Sequence, residues 1–143
     1  TEKVTPAKLD RLGESFQPCL FQEMLTKRYE IRSFFLDGEF YSMSIFSQEN
    51  TRTQIDFRHY DQKMPNRNVP YRLPGEVEQK LTSLMGQLQL ETGSIDLVLT
   101  EEGEYVFLEV NPIGQFGMVS GPCNYGLEEK MADALISRQR QRC

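Results

Sequence analysis

Apolar and polar residues alternate with a period of two in two neighbouring stretches late in the chain. Ile95, Leu97 and Leu99 interleave with Ser94, Asp96 and Val98, and Val106, Leu108 and Val110 interleave with Phe107, Glu109 and Asn111. That period predicts two strands. Glu101-Glu-Gly-Glu104 between them is a short glycine-containing loop of hairpin type. With Thr100 paired to Tyr105, Ile95 faces Val110, Leu97 faces Leu108 and Leu99 faces Val106 on one apolar side. On the other side Asp96 faces Glu109 and Ser94 faces Asn111. A slip of one residue would set apolar against polar along the whole hairpin, so this register is favoured.

The same reading organises the rest of the chain. Tyr29 to Leu36 and Glu39 to Phe46 predict a second hairpin around Asp37-Gly38, a strong turn signal. Cys19 to Leu25 is a short apolar run expected to be a strand. Ser47 to Leu73 is polar and reads as a long loop with one short strand near Ile55-Asp-Phe57. Pro74 opens a helix whose apolar face is Val77, Leu81, Leu84 and Leu88. Asn111 to Gly126, with four glycines, is expected to be a loop. Leu127, Met131 and Leu135 mark a final helix, and 137–143 a frayed basic tail. Residues 1–18 are polar and lack an initiator Met, and are expected to continue something upstream. No internal repeat is visible. These elements amount to an α+β unit over 19–136, a mostly antiparallel sheet with two helices packed on one face and a cleft on the other.

Composition narrows the classes. The chain has 143 residues, enough to bury a core, and its 38% hydrophobic content is that of a globular domain. A formal net charge of −5 leaves no basic footprint for nucleic acid. No run reaches membrane-spanning length and no signal peptide is seen, so a cytoplasmic protein is expected. Cys19, Cys123 and Cys143 lack metal-like spacing and read as reduced thiols. His59 is the only histidine, which excludes histidine triads and histidine-rich zinc sites.

The chemistry concentrates on the late hairpin. Directly opposed side chains in a strand pair have Cβ atoms about 5 Å apart, where like charges repel. Asp96 and Glu109 would therefore share a proton or a cation, or else stand apart as solvent-facing acids. Asn111 adds a neutral oxygen on the same side. Three oxygens without His or Cys suit Mg²⁺ or Mn²⁺, with water and phosphate completing the shell. Gly114 to Gly121 is glycine-rich but lacks the Gly-Lys-Ser/Thr ending of a phosphate-cradling P-loop.

Five motifs in order carry a resemblance to the C-terminal portion of an ATP-grasp carboxylate ligase. They are Phe21-Gln-Glu-Met-Leu25, Tyr29-Glu-Ile-Arg32, Asp56-Phe-Arg58, Gly93-Ser-Ile-Asp96 and Glu109-Val-Asn111. The likeness is to the RimK-like branch and within it to the graspetide (grasp-with-spasm) peptide maturases, of which Gly114-Gln-Phe116 after Asn-Pro is typical. It runs from Cys19 to Leu135. The resemblance implies ATP with Mg²⁺ or Mn²⁺ and an acyl-phosphate mechanism. It implies Asp96, Glu109 and Asn111 as metal ligands, and Arg32 and Arg58 as the groups neutralising the γ-phosphate and the acyl phosphate. Gln22, Glu23, Met24 and Leu25 would meet adenine and Glu30 the ribose, although a Glu30–Arg32 ion pair serves the same strand face. Arg67 and Arg72 would be solvated or meet an acidic peptide.

The expected product is a precursor peptide carrying side-chain ester or amide crosslinks. A RimK-like ligase adding glutamate to a protein, or a non-catalytic peptide-binding module, are the other readings. The family's phosphate-covering glycine loop and lysines, which belong to its smaller lobe, do not appear before Cys19. The chain is thus expected to be a fragment, inactive alone, that partners the missing N-terminal lobe, with a homodimer as a further expectation from exposed apolar surface.

Overall fold

The computed structural model describes residues 2–12, 17–49, 52–58 and 62–141. His59 and Cys143 lie outside them, as do parts of the expected lead-in and tail. Five strands form an antiparallel sheet: β1 (Lys27–Leu36), β2 (Glu39–Phe46), β3 (Arg67–Tyr71), β4 (Thr92–Thr100) and β5 (Tyr105–Asn111). Their spatial order is β3-β2-β1-β4-β5. Among the described residues four α-helices accompany them: α1 (Pro6–Leu9), α2 (Gly75–Gln87), α3 (Gly117–Cys123) and α4 (Leu127–Gln141). The α+β class and the mostly antiparallel sheet stand as expected.

The first hairpin turns at Asp37 and Gly38, both with positive φ (49° and 92°), the conformation of a type I′ turn. β1 then lies centrally, pairing with β2 on one side and β4 on the other. Strand alternation sends Ile31 and Phe35 to one face and Phe34 and Leu36 to the other. The first face joins Ile95, Leu97 and Leu99 of β4 and is covered by Leu81 and Met85 of α2. The second joins Met43 and Ile45 of β2 and is covered by Val119, Cys123 and Leu127 of α3 and α4. The two helices expected on one face therefore divide between the two faces.

Other departures have local causes. Residues 17–26 form no strand: Leu20 is 82% and Phe21 50% exposed, and both sides of β1 are already paired. Ile55-Asp-Phe57 is a turn rather than a strand. The fifth strand is instead β3, which carries Pro70; proline is tolerated there because β3 is an edge. The expected loop from Asn111 contains α3, ended by Asn124 in the left-handed conformation. The helix face on α2 runs through Val77, Leu81 and Met85, while Leu88 is the C-cap residue and is 47% exposed. The supposed frayed tail is helical as far as Gln141. Arg138 there is ion-paired with Asp37 of the β1–β2 turn and with Glu91 just before β4.

The sheet is strongly coiled. The hydroxyls of Tyr71 on β3 and Tyr105 on β5 are hydrogen-bonded to each other, although these strands are at opposite edges. Four strand spacings on a flat sheet come to roughly 19 Å, farther than two tyrosines span, so twist and curl bring the edges together over the α2-covered face.

Candidate functional site

The site occupies the half of the second sheet face that α3 and α4 leave uncovered. Ladder pairing places Arg32 beside Asp96, Asp96 beside Glu109, and Ser94 beside Asn111. Arg32, Asp96 and Glu109 thus form one row across β1, β4 and β5. The expected facing of Asp96 with Glu109 and of Ser94 with Asn111 is present.

The apolar half of the expected register is not. Beyond Asp96 the ladder shifts, and Leu97 pairs with Phe107, Val98 with Val106 and Leu99 with Tyr105. Leu108 is the extra residue of a β-bulge, and it is 50% exposed. Bulges raise local twist and re-aim side chains, and they are frequent beside active sites. Here the bulge directly adjoins Glu109.

Asp96 is nearly buried, and the Arg32 Nη1 donates to both of its carboxylate oxygens at 2.9 and 2.7 Å. Burial raises the Asp96 pKa above its ordinary value; Arg32 pulls it down, and Glu109 adds to the rise. Glu109 itself is exposed, as is Asn111. The Asn111 Oδ1 accepts the Ile113 N–H at 3.0 Å, which leaves it a second lone pair. Among the described residues no group of three or more His, Cys, Asp and Glu side chains is placed to hold a metal. The donor set is instead two carboxylates and an amide. Such an all-oxygen set would suit a hard divalent cation.

Arg58 is held at the rim by its own turn. Its backbone N–H donates to Asp56 Oδ1 at 3.1 Å, its Nε to the same oxygen at 2.9 Å and its Nη2 to Oδ2 at 3.0 Å. Its side chain stays 60% exposed. The bonds to Asp56 raise its pKa first, and the nearby charges of Glu109 and Asp96 raise it further. The expected arginine strand is therefore a turn, and the Arg58 charge still acts on Glu109 and Asp96 through space.

Glu30 is ion-paired with Lys27 and not with Arg32. Lys27 also donates to the Ile55 carbonyl at 3.1 Å, tying the Asp56 turn to β1. Glu30 Oε2 and Arg32 Nε are buried without a hydrogen-bond partner. Gln22, Glu23 and Met24 are exposed and Leu25 half-buried, in a segment that shares no ladder with the site. Arg67 is exposed over the Phe46 ring, and Arg72 is exposed too. Sequence reasoning passed over Lys27 and, while quoting Asp56 within its motif, gave it no role of its own. The Asp-x-Arg spacing, short enough for the carboxylate to grip both the backbone and the guanidinium two residues on, was the available signal for Asp56.

The loop after β5 is seated against the site by a close approach. A Cβ on Gly114 would lie 2.3 Å from Ser94 Cβ and Oγ and 2.7 Å from Ser94 N. Gly114 N–H donates to the Asn111 carbonyl at 3.0 Å. Phe116 then packs against Phe34 with the rings tilted and their centroids 5.3 Å apart.

No protein-family model and no curated protein matches the chain. Solved structures do. The macrocyclase MdnC bound with precursor peptide MdnA, from Microcystis aeruginosa MRC, is 36% identical with a TM-score of 0.65, over 82% of this chain and 35% of that one. Macrocyclase MdnB from the same source is 29% identical with a TM-score of 0.56, over 80% and 38%. A Chryseobacterium gregarium RiPP-associated ATP-grasp ligase, in complex with ADP and a leader and core peptide, shares the fold with a TM-score of 0.71 at 23% identity, over 85% and 36%. The chain spans little more than a third of the length of these proteins. By fold and by this likeness, the chain resembles part of these ATP-grasp macrocyclases and ligases, to which it is similar over 80–85% of its own length.

Proposed function

We propose that the chain is the metal- and nucleotide-binding portion of an ATP-dependent ligase that crosslinks side chains of a ribosomally made precursor peptide. The single observation carrying this is the row Arg32–Asp96–Glu109, with Asn111 two residues on and the Arg58 charge beside it. The solved structures it resembles include ligases bound to ADP and to precursor peptides, which supports the same reading.

In this reading Asp96, Glu109 and Asn111 would hold Mg²⁺, which would offset the negative charge of the phosphates. Arg58, exposed and anchored, meets the peptide carboxylate or the transferring phosphoryl group. A guanidinium suits that task because it offers several donors in a fixed plane. A substrate carboxylate oxygen attacks the γ-phosphorus and ADP leaves. A serine, threonine or lysine of the same peptide then attacks the acyl carbon and phosphate leaves, so each crosslink removes one water overall. Gln22 to Leu25 and Glu30 are assigned to the nucleoside. The metal is expected to be Mg²⁺ or Mn²⁺.

The test uses the longer enzyme that contains this chain, with ATP, Mg²⁺ and an acid-rich precursor peptide. Mass spectrometry should show loss of water per ring. Glu109→Gln should lower turnover at least about a hundredfold, the scale of losing one charge-stabilising group. Normal turnover by that variant would sink the ligand assignment. A gain of one residue mass in place of water loss would identify an amino-acid ligase instead.

A further inference from the structure

The two arginines of the site are held differently. Arg58 is gripped by its own turn and is 60% exposed at the side chain, whereas the Arg32 side chain is 14% exposed and reaches across a ladder to Asp96. Both Asp96 oxygens accept from the Arg32 Nη1, and the Arg32 Nε is buried without an acceptor. The more buried of the two opposed carboxylates thus already holds a cation, while Glu109, its partner across the ladder, is exposed. A divalent cation bridging Asp96 and Glu109 would meet the guanidinium at contact distance of one of its own ligands, where like charges repel strongly in a partly buried setting.

We infer that Arg32 is the resident counter-ion of Asp96 and is displaced from it when a divalent cation binds between Asp96 and Glu109. The inference rests on the metal-ligand reading above. Its unsatisfied Nε gives the displaced guanidinium an incentive to turn toward an incoming oxyanion, which accepts from Nε and Nη together. A metal arriving alone must expel Arg32 with no replacement partner. A metal arriving with a nucleoside diphosphate supplies that partner. Binding of the two is therefore coupled through Arg32, and the coupling is reciprocal.

The experiment is Mn²⁺ binding followed by electron paramagnetic resonance, on this full chain, with and without ADP. The unaltered chain is compared with Arg32→Gln and Arg58→Gln. Arg32→Gln should bind Mn²⁺ alone roughly tenfold more tightly than the unaltered chain, because a contact-distance opposing charge is gone. It should also gain less from ADP. Arg58→Gln, which removes a nearby charge but no bond to Asp96, should give a smaller gain in Mn²⁺ affinity than Arg32→Gln. Equal or weaker Mn²⁺ binding by Arg32→Gln overturns the inference and leaves the metal site standing. Absence of Mn²⁺ binding in every chain, even with ADP, overturns the metal assignment and this inference with it. Should Arg32→Gln fail to fold, the unaltered chain decides by NMR. The Arg32 Nε–H resonance should move on titration with Mg²⁺ and ADP. A resonance that stays fixed while the Asp96 and Glu109 amides shift overturns the inference.

Discussion

Glu30 is 6% exposed, with one carboxylate oxygen on Lys27 and the other buried without a partner. Burial raises its pKa above the ordinary 4.5, with Lys27 opposing the rise. The folded state therefore holds this proton more tightly than the unfolded chain does. The associated stability is present below the unfolded pKa and is lost as pH rises through the higher folded pKa. Thermal unfolding followed across that window should show Glu30→Gln gaining on the unaltered chain as pH rises; parallel pH slopes would refute it. Gly114 offers a second test, because a methyl group there meets Ser94. Gly114→Ala should cost about 1–3 kcal/mol by overpacking, and Ser94→Gly should restore only part, since the Ser94 nitrogen would still lie 2.7 Å from the new Cβ. Chemical denaturation of the single and double variants decides. The opposed acids were legible in sequence because they sit on one hairpin with a fixed period. The Arg32–Asp96 pair was not, because its members are 64 residues apart and only the β1–β4 ladder makes them neighbours.

Elements were legible where a short turn or a long period fixed them. Asp37-Gly38 set the first hairpin and Glu101 to Glu104 the second. The bulge at Leu108 was hidden because a regular ladder and a bulged one share the same alternation as far as Glu109. Regular pairing beyond it would have satisfied the pattern equally well. β3 was hidden because Arg67, Asn68 and Pro70 look like a loop, and only its place at the edge excuses the proline. On α2 the face drifts toward Met85, so truncations there should separate cleanly. Met85→Ala removes a fully buried side chain and should cost about 2–5 kcal/mol. Leu135→Ala on α4, at 62% exposure, should stay within about 0.5 kcal/mol. Urea unfolding of the two variants measures the contrast, and similar losses would mean that α2 does not form the lid of that core.

At the scale of the molecule, one sheet serves two purposes. One face is mostly apolar packing under α2, with the Ser33–Ser42 hydroxyl pair buried within it. The other is split between packing under α3 and α4 and a charged row left open. No helix among the described residues is long and apolar enough to cross a membrane. Arg138 fastens α4 to two turns at the far end of the sheet. Its side chain is about a third exposed and its partners more so. Solvent screening therefore limits Arg138→Ala to about 0–1 kcal/mol, shrinking with added salt. Unfolding at low and high ionic strength checks both the size and the trend.

The meeting of Tyr71 and Tyr105 bears on how the chain comes apart. In an open sheet the outer strands are the natural places for unfolding to start, and each can peel away by itself. Here the outermost strands hold each other, so loosening either one removes a tether from the other. Loss of β3 and loss of β5 should therefore be a single event in amide hydrogen exchange, with both strands reporting one opening free energy although the whole width of the sheet lies between them.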